Sequence, residues 1–346
     1  MLTLAPTYPV RECPIVLWRT AEVPHPERGA RRGDLTRVRR GVYARTADWR
    51  RLPPWEKYLV RVHAAALVFP DAVFSHESAA VLLGMPVLGD PVTVHVLVGP
   101  HSAARESTGI RSHRCRELPE VVTSRGIAVT SPAVTAVTLA RHRHNAYGLA
   151  AADAALGMGK TLTREALIAD NEARDSSRGR NLARWPLERA DKRRESVLES
   201  ISDAAIEWLG FPAPELQHVF VAEDGRIDRG DKWWKELSLL GEPDGELKYD
   251  GRFGDPAALL RDRHERDRRL LRGDVDSIAH WGWLDVARIW PLRALLLGHG
   301  LRQLYPEDTV QLRSLTRLLA PYERSLGSAS PTPVRERTTR GRENGW

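Results

Sequence analysis

One stretch, from Arg229 to Tyr249, constrains the fold more than any other part of the chain. Its apolar run Leu237–Leu240 is bounded by a glutamate on one side and by Gly and Pro on the other, which predicts a short buried strand. A second strand is predicted at Leu216–Ala222, and an Asp-Gly pair between the two runs is typical of a tight turn. The stretch therefore predicts neighbouring strands of one sheet.

Three carboxylates lie where these predicted strands begin or end, namely Asp231, Glu242 and Asp244. Because side chains alternate along a strand, Glu242 and Asp244 are expected to share a face. Two like charges repel by about 4 kcal/mol at about 4 Å and an effective dielectric of about 20. Such a group persists if it is spread in water or if a divalent cation binds it. The pattern therefore predicts either a solvated acidic edge or a cation site.

The order of residues in this stretch resembles the very-short-patch-repair-endonuclease-like domain of PD-(D/E)XK type. That domain occurs at the C-terminus of actinobacterial proteins similar to AbiEi antitoxins, which belong to type IV toxin–antitoxin systems. The family pattern is approximately R-V-D-F-x-W-x-E-x-x-h-x-G-E-x-D-G-x-x-K-Y, where h is apolar. The matching positions are Asp231, Trp234, Glu236, Gly241, Glu242, Asp244, Gly245, Lys248 and Tyr249. Gly230 and Lys232 replace apolar residues of the pattern, so we expect the strand that carries Asp231 to be weaker than in the family.

The resemblance implies a set of site residues. In PD-(D/E)XK enzymes a helix glutamate and two strand carboxylates hold Mg²⁺, which stabilises the attacking hydroxide and the charge that develops on the phosphate. Glu199, Asp231 and Glu242 would be these metal ligands, and Asp244 and Lys248 would complete the catalytic set. Neighbouring acids one helical turn away also make the helix glutamate compatible with an ordinary exposed face. A Glu-x-Lys triplet at 246–248 offers another third position, although Gly245 is expected to end the strand before it.

Arginines interrupt an alternating stretch near the N-terminus, Arg31–Tyr43. Its apolar residues predict a two-stranded ribbon with the turn at Gly33-Asp34 or at Arg39–Gly41. The stretch resembles the wing of the small winged helix-turn-helix that opens AbiEi-type antitoxins, and this implies contact with DNA phosphates. A solvated, arginine-rich edge is the alternative. The candidate DNA-binding residues are Arg31, Arg32, Arg37, Arg39 and Arg40.

A charged helix is predicted at Pro256–Leu271, similar to the E-K-x-R-E-D-x-L-R helix of the same family. Its charges alternate in sign at i,i+4 spacing, which is typical of a solvated face. If the helix faces a nucleic-acid backbone instead, Arg263 and Arg266 would bind phosphate. The prediction therefore adds these two arginines to the candidate nucleic-acid contacts.

The middle of the chain alternates helical and strand patterns, and its blocks Ser75–Pro86 and Val129–Arg141 resemble recurrent blocks of the antitoxin family. The strand Val92–Val98 is expected to pair with segments near Ile110–Cys115 and Gly126–Val129. The histidines of this region and Cys115 lack a second ligand pair at zinc spacing, so no zinc site is predicted.

Composition limits the compartment and the partners. The net charge of +7 and the isoelectric point near 9.7 suit a phosphate-bearing partner such as DNA. The two cysteines are far apart in sequence, which favours a reducing cytoplasm over a disulfide scaffold. The start of the chain does not resemble a signal peptide, and the apolar runs are too short to span a bilayer, so we expect no membrane partner.

We therefore expect a multidomain protein that combines α+β and α/β parts. The domains are a winged-helix-like DNA-binding segment (1–50), a mixed α+β antitoxin-like domain (55–170), a polar linker (171–192), a restriction-endonuclease-like domain (193–323) and a disordered tail (324–346). The resemblance implies a cytoplasmic DNA-binding regulator that, like AbiEi-type antitoxins, represses its own operon and opposes a nucleotidyltransferase toxin. A Mg²⁺-dependent DNA endonuclease and a protein–protein scaffold are the alternatives.

Overall fold

The protein is described by a computed structural model that covers residues 8–159, 161–221, 225–244 and 256–327. Lys248, which the sequence proposes as a catalytic residue, lies outside the described residues, and so does most of the predicted tail. The described chain forms three sheets surrounded by helices, which agrees with the expected mixed α and β organisation.

The N-terminal part is a three-stranded sheet flanked by two short helices. Its strand order is β1-β3-β2, and β2 and β3 form the antiparallel ribbon that the sequence predicts. The turn falls at Arg40-Gly41, the second of the two predicted positions, where Gly41 has a φ of 82° that suits glycine. The elements are β1 (Trp18–Arg19), α1 (Pro26–Arg32), β2 (Leu35–Arg39), β3 (Val42–Arg45) and α2 (Thr46–Arg51).

The middle part contains a six-stranded sheet of order β6-β7-β5-β4-β9-β8. The predicted strand at 92–98 pairs with β7 as expected, but not with β9, because the two-residue strand β4 lies between them. The elements are α3 (Pro54–Val68), β4 (Val73–Phe74), α4 (His76–Leu83), β5 (Val94–Val98), β6 (Glu106–Ser107), β7 (Ile110–Arg114), β8 (Val121–Ser124), β9 (Ile127–Thr130), α5 (Pro132–His142) and α6 (Asn145–Met158).

Residues 171–192, predicted to be a polar linker, instead contain a packed helix. After α7 (Arg164–Ala173), α8 (Arg180–Arg189) packs against α5 and α6. Although α8 is mostly polar, Ala183 and Leu187 lie four residues apart on one face and are fully buried in a small core shared with those helices. The polar composition of this segment therefore describes only its solvent-facing side.

The C-terminal part places a mixed four-stranded sheet against helices. Strands β10, β11 and β12 are antiparallel neighbours, and β13 is parallel to β12. The elements are α9 (Val197–Trp208), β10 (Glu215–Val221), β11 (Ile227–Trp234), β12 (Leu239–Pro243), α10 (Pro256–Leu270), β13 (Ser277–Trp281), α11 (Trp283–Arg288), α12 (Trp290–Gly298) and α13 (Thr309–Gly327).

Two boundaries differ from the sequence prediction. The strand expected at Leu237–Leu240 begins at Leu239, because residues 235–237 form one 3₁₀ turn and Ser238 has a φ of 41°. Helix α13 continues to Gly327, so the first residues of the predicted disordered tail, 324–327, are helical.

Strand β11 is not weak, contrary to the expectation from Gly230 and Lys232. It runs for eight residues and pairs on both sides. Gly230 fits closely packed surroundings, because a Cβ atom there would lie 3.0 Å from Phe220 Cε2 and closer still to Leu240 Cδ1, and these side chains would have to shift. Lys232 is fully buried beneath α9. Both departures from the family pattern therefore fit the packing around the strand.

One hydrophobic core joins the middle and C-terminal parts. It includes Leu149 of α6, Ile201 and Ala205 of α9, and Leu315 of α13. Helices α6 and α9 are direct neighbours in this core, so the two parts pack as one body. Within the described ranges, no helix has the length and apolar character needed to cross a bilayer.

Candidate functional site

The three carboxylates proposed as metal ligands lie together at one end of the C-terminal sheet. Glu199 is in the first turn of α9, Asp231 is on β11 and Glu242 is on β12. The side-chain amide of Gln217 donates to both Glu199 Oε2 (3.2 Å) and Asp231 Oδ1 (3.1 Å). The backbone N–H of Asp231 points at Glu242 Oε1, at 3.4 Å. We call these three residues the acid cluster.

Burial makes the acid cluster costly to ionise. The pKa of Glu199 is raised, first because the side chain is buried and second because the charge of Asp231 is close. The pKa of Glu242 is raised by burial too, with Asp231 adding to the effect and Arg266 opposing it. A nearby positive charge therefore favours the ionised forms of Glu199 and Glu242.

Arg266 already supplies a positive charge to the acid cluster. Its Nη2 lies 2.9 Å from Glu242 Oε1 and also donates to the backbone carbonyl of Arg229. Arg263 makes a similar pair with Asp244, at 2.7 Å between Nη2 and Oδ2, and His280 Nδ1 lies 2.8 Å from the same oxygen. The two arginines predicted to contact phosphate are thus engaged with the carboxylates of the site itself.

Gln217 is a site residue that the sequence did not reveal. Its neighbours on β10 pair with Lys232 and Gly230, so it lies across from Asp231. Its φ of 56° is in the left-handed region, which costs about 1–3 kcal/mol for a residue with a side chain and is concentrated at functional sites. Its Oε1 atom is buried without a hydrogen-bond partner. A single glutamine in a strand carries no pattern that would have indicated this position.

The acid cluster fits Mg²⁺ in the kind of atom it offers. Carboxylate and amide oxygens are ligands that Mg²⁺ prefers, and the unpartnered Gln217 oxygen adds to them. The spacing fits less well, since these carboxylates are not among the described groups whose ligand atoms all lie within 4.8 Å of one another. Arg266 pairs with one of the three carboxylates, that of Glu242.

The predicted DNA-binding arginines of the N-terminal part divide into two groups. Arg31 and Arg40 are exposed at the end of α1 and at the ribbon turn. The other three contact protein groups: Arg32 lies 3.0 Å from Asp34, Arg37 lies 4.0 Å from Glu27, and the Arg39 guanidinium lies 5.3 Å from the centre of the Phe69 ring. Burial also lowers the pKa of Arg39.

The middle part contains a second cluster that the sequence analysis set aside. His76, His95 and His113 each bring a ring nitrogen to within 4.8 Å of the others, although they are distant in sequence and lack any zinc-ligand spacing. The pairing of β5 with β7 and the position of α4 bring them together, so only the folded sheet reveals this group.

Comparisons with known proteins cover much of the chain. Residues 72–185 match the family model described as the AbiEi antitoxin C-terminal domain. Two Mycobacterium tuberculosis proteins, the uncharacterized proteins MT2308 (strain CDC 1551) and Rv2248 (strain H37Rv), are each 33% identical over 233 residues, which is 67% of this chain and 80% of theirs. The chain belongs to the family of these mycobacterial proteins. No solved structure matches significantly.

The region that matches the antitoxin family model, residues 72–185, lies in the middle of the chain. It begins beside β4 and ends inside α8, so it contains the six-stranded sheet, the histidine group and residues 171–185 of the segment predicted to be a linker. The antitoxin part of the resemblance is therefore confirmed for this region. The match ends before the acid cluster.

Proposed function

We propose that the protein is a DNA-binding transcriptional regulator of the antitoxin type. The observation that carries the proposal is the match of residues 72–185 to the AbiEi antitoxin C-terminal domain. By the resemblance, its partners would be the DNA of its own promoter and a nucleotidyltransferase-type toxin. The net charge of +7 is consistent with an anionic partner.

The β2–β3 ribbon is the proposed DNA contact. Arg31 is exposed at the end of α1, Arg40 is exposed at the ribbon turn, and Arg37 is more than half exposed beside Glu27. Each arginine that neutralises a phosphate releases a counterion, so DNA affinity should fall steeply with salt. Arg39 would support the ribbon by packing over Phe69.

A mobility-shift titration on the protein's own promoter tests this proposal at several salt concentrations. We expect the variant with Arg31→Ala, Arg37→Ala and Arg40→Ala to bind more weakly and to lose about one unit of salt slope per phosphate contact removed. Arg116→Ala is the control, because Arg116 is highly exposed but lies outside the ribbon. Equal affinity and slope in the triple variant and the native protein would exclude the ribbon as the DNA contact. If no DNA shifts at all, the regulator proposal fails and a protein–protein scaffold takes its place.

The convergence of Glu199, Asp231 and Glu242 favours a second candidate, a Mg²⁺-dependent DNA endonuclease. These three residues, with Asp244 and Lys248 beside them in the family pattern, would form its site. Bound Mg²⁺ would stabilise the charge that develops on a phosphate during cleavage. The ion pair between Arg266 and Glu242 engages one of the three proposed metal ligands. This contact favours a binding module over an endonuclease, so we rank the endonuclease second.

Nicking of supercoiled plasmid in Mg²⁺ or Mn²⁺ separates the two candidates. An endonuclease requires nicking that is lost in Asp231→Asn and in Glu242→Gln. Asp228→Asn is the matched control, because Asp228 lies on the same strand but pairs with Arg269, at 2.9 Å. We expect no nicking by the native protein with either metal, and this result would remove the endonuclease while leaving the regulator intact.

A further inference from the structure

Three histidines from three elements meet at one point in the antitoxin-type region. His76 begins α4, His95 is on β5 and His113 is on β7. Within residues 8–159, 161–221, 225–244 and 256–327, no other three His, Cys, Asp or Glu side chains bring ligand atoms so close together. We propose that His76, His95 and His113, here named the histidine cluster, bind a divalent transition-metal ion, with Zn²⁺ as the first choice.

Oxygen atoms of neighbouring side chains lie next to two of the three rings. His76 Nδ1 lies 3.0 Å from the hydroxyl of Ser75, and His95 Nε2 lies 3.6 Å from Glu77 Oε2. The other nitrogen of His95, Nδ1, faces His113 Nε2 at 2.9 Å. Metal-binding histidines commonly use the second ring nitrogen in this way, because an oxygen partner fixes the tautomer and the ring orientation.

Glu77 is fixed beside the histidine cluster. Its buried carboxylate accepts hydrogen bonds from Arg143, one of them 2.8 Å between Nη2 and Oε2, and lies next to the His95 ring. A carboxylate beside a metal-binding histidine is a recurrent second layer around metal ions.

The chemistry of the three side chains selects the metal ion. Each neutral imidazole ring offers one nitrogen lone pair as a ligand. Imidazole nitrogen favours Zn²⁺, Cu²⁺, Ni²⁺ and Co²⁺ over Mg²⁺ or Ca²⁺.

The backbone and the ring positions indicate the adjustment that binding requires. The rings of His76 and His113 are stacked with centroids 4.0 Å apart, so the His76 ring must rotate for its nitrogen to converge with the others. The 2.9 Å between His95 and His113 must widen only to about 3.3 Å, the separation expected for tetrahedral Zn–N bonds of about 2.0–2.1 Å. His76 also has a φ of 51°, a strained conformation for a residue with a side chain, and such strain is concentrated at ligand sites.

A fourth histidine, His142, lies beside the histidine cluster. The exposed His142 has its ring centroid 5.4 Å from that of His76, and its Nδ1 lies 2.9 Å from the Thr138 carbonyl. When Nδ1–H donates to that carbonyl, Nε2 carries a lone pair. The histidine cluster supplies three nitrogen ligands, and water or His142 supplies the fourth. The proposed site is therefore four-coordinate.

Metal titration of the chelator-stripped, full-length protein without a polyhistidine tag tests the proposal. Co²⁺ serves as the spectroscopic probe, and Zn²⁺ affinity is measured by calorimetry. We expect one metal ion per chain and an intense visible Co²⁺ band. We expect His113→Gln to weaken Zn²⁺ binding by more than about 100-fold and Ser75→Ala to weaken it by about 10- to 100-fold, as is typical of second-layer changes. His218→Gln, a half-buried histidine on β10, is the control and should bind normally.

Circular dichroism shows whether each variant is folded, so that a loss of metal binding can be assigned to the substituted residue. His76→Gln alters a buried position and can unfold the region, but His113 is only half-buried, so His113→Gln is the variant that decides. Absence of stoichiometric binding by the native protein overturns the proposal. Equal affinity of folded His113→Gln and native protein overturns it as well. DNA binding in the mobility-shift assay is independent of either result.

Discussion

The ammonium group of Lys232 lies beneath α9, where it donates to the carboxylate of Asp203 and, at 3.3 Å, to the backbone carbonyl of Glu199. Asp203 is shared with Arg194, which also binds Asp153, at 3.2 Å. A buried charge of this kind is tolerated because the ammonium group is paired with a carboxylate and hydrogen-bonded to a carbonyl. The lysine therefore anchors β11 to the helix that carries Glu199.

Lys232→Ala should lower the free energy of unfolding by about 3–5 kcal/mol, because the buried Asp203 loses a partner and the side chain leaves a void. The measurement is urea denaturation followed by circular dichroism. Lys235→Ala, an exposed lysine just after the strand, is the matched control and should change stability by less than about 0.5 kcal/mol. Similar losses in the two variants would contradict the role of the buried ion pairs.

At the scale of single residues, only part of the site could be predicted. Asp231 and Glu242 were found because their spacing carries a family pattern. Gln217 and the histidine cluster were missed because their partners come from other elements, and no spacing along one segment encodes such contacts. The sequence predicts that Lys232 weakens its strand, because the hydrogen-bond acceptors of its ammonium group belong to another element, α9.

At the scale of elements, β11 depends on close contact between side chains of its two neighbouring strands. The side chains of Phe220 from β10 and Leu240 from β12 close over the backbone of Gly230. Such contact leaves no space for another carbon atom, and interiors packed to this density respond to a single added methyl group.

Gly230→Ala should therefore destabilise the protein by about 1–3 kcal/mol through overpacking, measured by urea denaturation. The companion variant is Gly99→Ala, where an added Cβ would meet nothing within 4 Å. It should stay within about 0.5 kcal/mol of the native protein. A tolerated Gly230→Ala would show that Phe220 and Leu240 can shift to admit a methyl group, and it would contradict the proposed close packing.

Long elements were predictable and short ones were not. The long charged helix predicted at Pro256–Leu271 is observed as α10, Pro256–Leu270, within one residue of the prediction. Strand β4 has only two residues and shows no alternation, so the order of its sheet could not be derived. The start of β12 was displaced because the 3₁₀ turn before it contains apolar Leu237.

At the scale of the whole molecule, the junction between the middle and C-terminal parts is the feature that composition concealed. Asp153 of α6 accepts hydrogen bonds from the backbone N–H of Asp191, at 2.7 Å, and from Ser200 of α9, at 2.8 Å. Burial raises the pKa of Asp153 to about 7, although Arg194 opposes this shift. The polar composition of residues 171–192 predicts a linker, because sequence alone cannot distinguish charges that face inward from charges that face water.

The shared core of α6 and α9 has a practical consequence for anyone who wishes to assign activities to regions of this chain. Truncation between residues 190 and 196 would expose an apolar helix face on each fragment, and aggregated fragments would not report the activities of the native protein. Truncation is therefore unsuitable for this chain. Roles have to be sorted by exchanging one side chain at a time in the intact polypeptide.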